Sequence, residues 1–302
     1  MRRILLPAIV AAVAVGASVE PALALRIAAP PSPGQMAATA QVVVIGKVTA
    51  IEKDLVEVPA PYAGAKDKQN YKIAVVKVET GLAGADKLKE IKVGVYQPPK
   101  PVPGRPVLGR PGGPAAAIEL KEGQQLLLFL TKHPSADFYL MPGFNAPVDV
   151  TTDAGKKAVE EVKRVAAVLA DPMKGLKSDK AEARAEAAVV MVTKYRAYPT
   201  FGGETEQVAV GAEESKLILK GLAEGEWKAG RFGGPPNAFM AFNSLGLTEK
   251  DGWISPVIVN PPPGQPAPDY AAVHKDAFTK WLAGPGKDYQ VKKVVPKAKA
   301  EK

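Results

Sequence analysis

The chain has 302 residues, a formal net charge of +9, no cysteine and two histidines. The absence of cysteine excludes disulfides, a cysteine nucleophile and a zinc site built from His and Cys, and two histidines cannot form a three-histidine site. The length suits two domains better than one, and their stability must come from packed cores. Basic residues are interleaved with Asp and Glu along the chain, so we interpret the charge first as a contribution to solubility.

The first residues follow the order of a secretory signal peptide. Two arginines come directly after Met1, an apolar stretch runs over residues 4–19, and the small-residue triplet Ala-Leu-Ala ends at Ala24. We expect cleavage after Ala24, so residues 1–24 are a signal peptide and the mature protein is extracytoplasmic, either periplasmic or secreted. An uncleaved anchor is the alternative. No later segment reaches the apolar length of a membrane span, so we expect no transmembrane segment in the mature chain.

The segment 41–150 carries the pattern of about five short strands. The predicted strands are 41–52, 55–58, 71–79, 91–96, 125–131 and 138–141. Gly46 lies inside the first of them, where we expect a bend or bulge, and the apolar pattern changes phase near Val75 and Val76, as it does at a bulge. The run 126–130 is continuously apolar, which predicts a strand buried on both faces.

A proline-rich segment interrupts the predicted strands. Residues 97–117 contain seven prolines and four glycines, and so many missing backbone donors predict a long exposed loop with polyproline character. Its part 98–105 resembles an SH3 ligand superficially. Because we expect the protein outside the cytoplasm, we favour a flexible insertion in the strand-forming half.

From Asp153 onward the apolar period becomes helical. Five helices are predicted: one capped by Asp153 and ending at Asp171-Pro172, one capped by Ser178 or Asp179 and stopped by Pro199, a short one over 217–222, one over 239–245 capped by Gly246, and one from Asp269 to Gly284. Their narrow apolar stripes must pack on one another. We therefore assign 151–290 to a helical domain and 291–302 to a basic tail that we expect to be frayed.

Three stretches of the first half together resemble a known barrel family. They are 40–48, then 71–78 followed by Gly-Leu-Ala-Gly, and 123–130. Together they resemble the OB barrel of netrin-like domains, the fold of tissue inhibitors of metalloproteinases. The resemblance covers 25–150 and implies an α+β fold, in which a five-stranded OB-like β-barrel precedes the helical domain.

The resemblance does not carry the family's inhibitory mechanism. In that family an N-terminal cysteine coordinates the protease zinc and disulfides hold the inhibitory edge, whereas this chain has no cysteine. The second half, with the segment 245–253 and the helix around Trp281, is similar in style to uncharacterised exported bacterial proteins. The resemblance therefore implies a fold without implying a reaction.

Few side chains are candidates for chemistry. His133 lies in a turn four residues before Asp137, and a His near an Asp can act as a base, but polar residues in turns more often serve solvation. His274 falls on or beside the apolar stripe of the last helix and is interpreted as an interface residue. Asp251 precedes a glycine and Trp253, which indicates a turn with the indole covering a core, although sugar sites also pair an Asp with an aromatic ring. We assign no catalytic, cofactor-binding or metal-binding residue and no cofactor.

These patterns favour an exported, non-catalytic binding or scaffold protein. Its partner would be another envelope or extracellular protein, and the contact regions would be the barrel surface and the loop 97–117. One alternative is a cell-wall or polysaccharide hydrolase that uses Asp137 or Asp251, and another is a protein that binds anionic polymers through its basic charge. OB barrels can also stack single-stranded nucleic acid on aromatic side chains. Few aromatic residues fall in these strands, so we expect no specific nucleic acid.

Overall fold

The computed structural model describes residues 31–98, 118–141, 146–228, 235–258 and 268–297. The described residues form a mixed α/β fold. A six-stranded sheet lies in the N-terminal half of the chain, and most helices follow it. The predicted order, strands first and helices second, is confirmed at this level. The predicted signal peptide, the loop residues 99–117 and the end of the basic tail lie outside the described residues.

The strands of the first half form a ring. They are β1 (Val42–Pro59), β2 (Lys68–Ala83), β3 (Glu90–Gln97), β4 (Gln125–Lys132), β5 (Tyr139–Leu140) and β6 (Val148–Asp149). β1 pairs antiparallel with both β2 and β4, β3 pairs parallel with β5, and β5 pairs antiparallel with β4. Five strands in the order β1-β2-β3-β5-β4 therefore close on themselves, and β6 adds a short pairing to β4.

β1 is irregular where the sequence predicts a bulge. The register with β2 shifts next to Gly46, and a Cβ atom at this position would lie 2.8 Å from the carbonyl oxygen of Lys77. The close approach of the two backbones explains the glycine. The irregularity predicted near Val75 and Val76 is also present, but the residue without a partner is Thr49 of β1. The predicted strand 55–58 is the outer part of β1.

The helices are α1 (Pro33–Thr39), α2 (Asp153–Ala170), α3 (Pro172–Leu176), α4 (Ala181–Arg196), α5 (Ala212–Glu224), α6 (Ala238–Leu245) and α7 (Tyr270–Ala283). The five predicted helices correspond to α2, α4, α5, α6 and α7, whereas α1 and α3 are not predicted by the sequence. Gly246, in the left-handed conformation, and Asp269 cap α6 and α7 as expected.

Two predicted caps are wrong. Thr152, and not Asp153, caps α2, because its hydroxyl accepts a hydrogen bond from the amide of Gly155 at 3.0 Å. α4 begins after Lys180 and has no side-chain cap, although Ser178 or Asp179 was expected there. A Thr and an Asp can both accept such a bond, so composition alone does not distinguish adjacent candidates.

The predicted frayed tail is wrong for its first residues. β8 (Lys292–Pro296) pairs antiparallel with β7 (Thr205–Ala209), and the amide of Lys297 donates to the carbonyl of Glu204 at 2.9 Å. Because this segment is rich in lysine, a prediction based on charge does not identify it as a strand. The pairing holds this end of the chain against the helical half.

The helical half packs around α4. The residues of α4 from 187 to 192 are all buried, so this helix has no solvated face there and the narrow stripe predicted for it is wrong. The three tryptophans Trp227, Trp253 and Trp281 are buried in the same cluster, which confirms that Trp253 covers a core. In the described part of the chain, no helix is both long and apolar enough to cross a membrane.

Candidate functional site: a cleft between the strand ring and the helices

His133 lies in the turn after β4, as predicted, but it does not meet Asp137. Its side chain is buried and packs against Tyr71 and Phe138, with ring centroids 5.8 and 5.0 Å apart. The amide of Ser135 donates to Nδ1 at 3.2 Å, so the neutral ring carries its proton on Nε2. Burial lowers the pKa of His133, while the carbonyl of Pro59 opposes this shift. The neutral, enclosed ring supports packing and not proton transfer to a substrate.

Asp137 is exposed and forms an ion pair with Lys132 at 2.5 Å. The Lys132 side-chain hydrogen bond and charge hold the pKa of the Asp137 carboxyl below its usual value. A glycosidase acid needs the opposite shift, toward the protonated form at neutral pH. The lowered pKa therefore does not fit Asp137 as the general acid of a glycosidase.

Asp251 forms part of a turn, as predicted. It ends a short 3-10 segment, Glu249–Asp251, and its carboxylate accepts hydrogen bonds from the amide and hydroxyl of Thr248 and pairs with Lys292 at 3.1 Å. Burial raises the pKa of Asp251, but these hydrogen bonds and the lysine outweigh it and leave the pKa below its usual value. Asp251 and Asp288 both line an open cleft on the helical half. A second carboxylate is thus nearby, but Asp251 is held in its charged form.

His274 lies at a contact between helices, as expected. Its ring packs against Phe239 and Phe242, with centroids 5.5 and 6.1 Å apart, and its Nδ1 lies 2.7 Å from the carbonyl oxygen of Tyr270. Within the described ranges, no three His, Asp or Glu side chains gather in a geometry that could hold a metal ion.

One cleft lies where the strand ring meets the helical half. We call it the junction cleft, and its volume is about 360 Å³. Its lining comes from the end of α1, the ends of β1 and β4, the C-terminal end of α4 with the loop after it, and β8: Thr39, Gln41, Thr131, Lys194, residues 197–202, Val294 and Pro296. Ligand sites often form at such junctions between structural units.

Aromatic side chains flank the junction cleft. Tyr198 lines it and is 68% exposed, and Phe201 also lines it. The ring of Tyr62, at the tip of the β1–β2 hairpin, packs edge-on against Phe201 at 6.2 Å and remains 58% exposed. The amide of Ala63 donates to the carbonyl of Phe201 at 2.9 Å. The hairpin tip and the loop after α4 therefore present two exposed tyrosines beside one cleft.

Half of the twelve residues that line the junction cleft carry polar side chains: Thr39, Gln41, Thr131, Lys194, Tyr198 and Thr200. Thr131 is 2% exposed, and its hydroxyl has no hydrogen-bond partner within the described residues. Lys194 is the only charged residue among those that line the cleft. A buried unpaired hydroxyl costs about 1–3 kcal/mol.

A smaller cleft marks the base of the proline-rich loop. Gln97 and Ile118, which flank the undescribed part of the loop, line a cavity of about 220 Å³ together with Ile51 and Val95. Gln97, the first residue of the predicted contact region 97–117, and Ile118, which directly follows that region, thus line the same cavity. The loop itself lies outside the described residues.

Sequence reasoning missed the junction cleft. Its aromatic residues come from two turns, around Tyr62 and Tyr198, that are more than a hundred residues apart, and the pairing of β7 with β8 that completes the wall was not predicted. The sequence did contain one indication: each turn has a tyrosine next to a proline, Tyr62 beside Pro61 and Tyr198 beside Pro199. An aromatic ring in a turn that does not pack into a core is a candidate contact residue. No protein-family model and no curated protein matches this chain.

Proposed function

We propose that this protein is an exported, non-catalytic binding protein whose partner is another envelope or extracellular protein. The observation that carries the proposal is the pair of exposed tyrosines, Tyr62 and Tyr198, beside the junction cleft. Tyrosine is enriched in protein interfaces because it offers a large, rigid surface with a polar tip. The charge of Lys194, which lines the cleft, adds specificity to this surface.

The strand ring is proposed to be an OB-like barrel of the netrin-like type. The closed order β1-β2-β3-β5-β4, the parallel pairing of β3 with β5 and the bulged first strand support this proposal. A five-stranded barrel of this kind offers rim loops as binding surfaces. The hairpin tip with Tyr62 is such a loop, so the proposed fold and the proposed contact agree.

The loop 97–117 stays a second proposed contact region. Gln97, its first residue, and Ile118, which directly follows it, line one cavity, and a proline-rich segment loses less conformational entropy on binding than a flexible one. This region is tested by deletion, separately from the tyrosines.

Extracytoplasmic localisation after cleavage near Ala24 is also a proposal, and it rests on the N-terminal sequence pattern. The test is the N-terminal sequence of the protein recovered from culture medium and from a periplasmic extract. A mature chain that begins at Leu25 supports the proposal. A chain that begins at Met1 and stays in the cell overturns it.

The binding proposal is tested by capture. The immobilised mature chain is incubated with an envelope fraction from its own organism, and retained proteins are identified by mass spectrometry. We expect one partner that Tyr62→Ser/Tyr198→Ser fails to retain. Ile254→Ser, which removes an apolar residue that lies outside the cleft and is more exposed than either tyrosine, is the control and should retain it. Equal retention by both variants would contradict the role of the cleft.

A further inference from the structure

The fold brings three lysines to one cleft on the helical half. Lys216 and Lys220 are one turn apart on α5, and Lys287 lies in the turn after α7. They line a cleft of about 490 Å³ that we call the lysine cleft; its lining is Lys216, Leu219, Lys220, Ala223, Leu282, Gly286, Lys287 and Asp288. The sequence spreads its basic residues evenly, so this concentration arises only on folding.

The positive charge of the lysine cleft is largely uncompensated. Asp288 is the only carboxylate among its lining residues. Lys220 lies 3.9 Å from Glu224 and is 62% exposed, and Glu224 pairs more closely with Arg184, at 2.7 Å. Lysines at positions i and i+4 of a helix repel each other and destabilise it slightly. A bound anion would remove this repulsion.

The remaining wall of the lysine cleft is apolar. Leu219 is buried beneath it, and Ala223 and Leu282 are partly exposed. Ammonium groups around an aliphatic surface suit a ligand that combines anionic groups with an uncharged carbon framework. A sugar ring offers such a framework, because its C–H groups can lie on the aliphatic wall while its substituents face the lysines.

We propose that the lysine cleft binds an anionic polysaccharide, at a site separate from the junction cleft. The three lysines contact successive anionic substituents of one chain, and the apolar wall receives a sugar ring between them. The cleft shares no lining residue with the junction cleft. The protein can therefore hold an anionic polymer and a protein partner at the same time.

The test uses dextran sulfate oligomers and neutral dextran of the same length, with binding to the mature protein measured by calorimetry at several salt concentrations. We expect the sulfated chain to bind and the neutral chain not to. Lys216→Gln/Lys220→Gln/Lys287→Gln should weaken binding by between about threefold and about a hundredfold, since three exposed ion pairs are lost. Its salt dependence should also be flatter.

The matched control is Lys53→Gln/Lys87→Gln/Lys89→Gln, which removes the same charge from three exposed lysines of the ring half. Its affinity should change less than about twofold, because only long-range attraction is lost. An equal loss of affinity in both variants would overturn the proposed site, because binding would then depend only on the net charge of the protein. Thermal unfolding of the lysine-cleft variant should occur close to the wild-type temperature, because the loss of the weak Lys220–Glu224 ion pair offsets the removal of the repulsion between Lys216 and Lys220. Tyr62→Ser/Tyr198→Ser should bind dextran sulfate normally, so the two proposals fail independently.

Discussion

Leu127 and Leu128 are adjacent in β4, and their side chains lie in two different cores. Leu128 packs inside the strand ring with Val44 and Val93, whereas Leu127 packs on the outer face with Val162 of α2. Both are fully buried, because successive side chains of a strand point to opposite faces. β4 therefore joins the interior of the ring to the helices that cover it.

Replacement of either leucine should destabilise the protein to a similar extent. Leu127→Ala and Leu128→Ala should each lower the free energy of unfolding by about 2–5 kcal/mol, the usual cost of a cavity at a buried leucine. Leu55→Ala, at a position that is 52% exposed, should change it by less than about 0.5 kcal/mol. Urea unfolding measures all three. A small effect of Leu127→Ala alone would mean that the helices do not cover the ring.

A methyl group at Gly46 should be harmful. The Cβ atom of Gly46→Ala would lie 2.8 Å from the carbonyl oxygen of Lys77 and 2.6 Å from a methyl group of Val76, so β1 and β2 would have to separate. We expect a loss of about 1–3 kcal/mol in urea unfolding, as for other overpacked sites. An unchanged stability would show that the strands do not approach so closely.

The ion pair of Asp251 should stabilise the helical half. Asp251→Ala leaves Lys292 and the amide of Thr248 without their partner, and we expect a loss of about 1–3 kcal/mol at pH 7. The folded-state pKa of Asp251 lies below its usual value, so this contribution is present above the unfolded pKa of about 4 and is lost as the pH falls through the folded value.

Chemical unfolding at pH 7 and at pH 3 measures the effect of Asp251. The difference between wild type and Asp251→Ala should shrink at the lower pH. Asp288→Asn, which changes an exposed carboxylate of the same cleft, is the control and should have little effect. A difference that stays constant with pH would contradict a role for the charge.

His133 should make the fold less stable in mild acid. Its folded-state pKa is lowered by burial, so the unfolded chain takes up a proton first, and stability falls as the pH drops below the unfolded value of about 6.5. A proton on Nδ1 would also face the amide of Ser135. His133→Gln should show a smaller loss of stability between pH 7.5 and pH 5 than wild type in urea unfolding. Equal losses would argue against a buried neutral ring.

The periodicity of apolar residues along the sequence predicted most of the helices and strands, but it predicted little of the candidate site. The apolar run in β4 and the stripes of α2 and α7 identify their elements because burial is strong there. β8 and the cap of α2 were missed, since Lys292 and Lys293 mask a strand and Thr152 and Asp153 are equivalent as caps. Tyr62 and Tyr198 meet the same cleft only through the tertiary fold, which no local pattern contains.

The central claim is that the junction cleft is the contact surface for a protein partner. The most direct measurement is the amide hydrogen exchange of the mature chain, alone and with the partner retained in the capture experiment. We predict slower exchange in residues 60–66 and 197–203, with little change in β6 and α2. Protection confined to other segments, with unchanged exchange at both turns, would contradict the account.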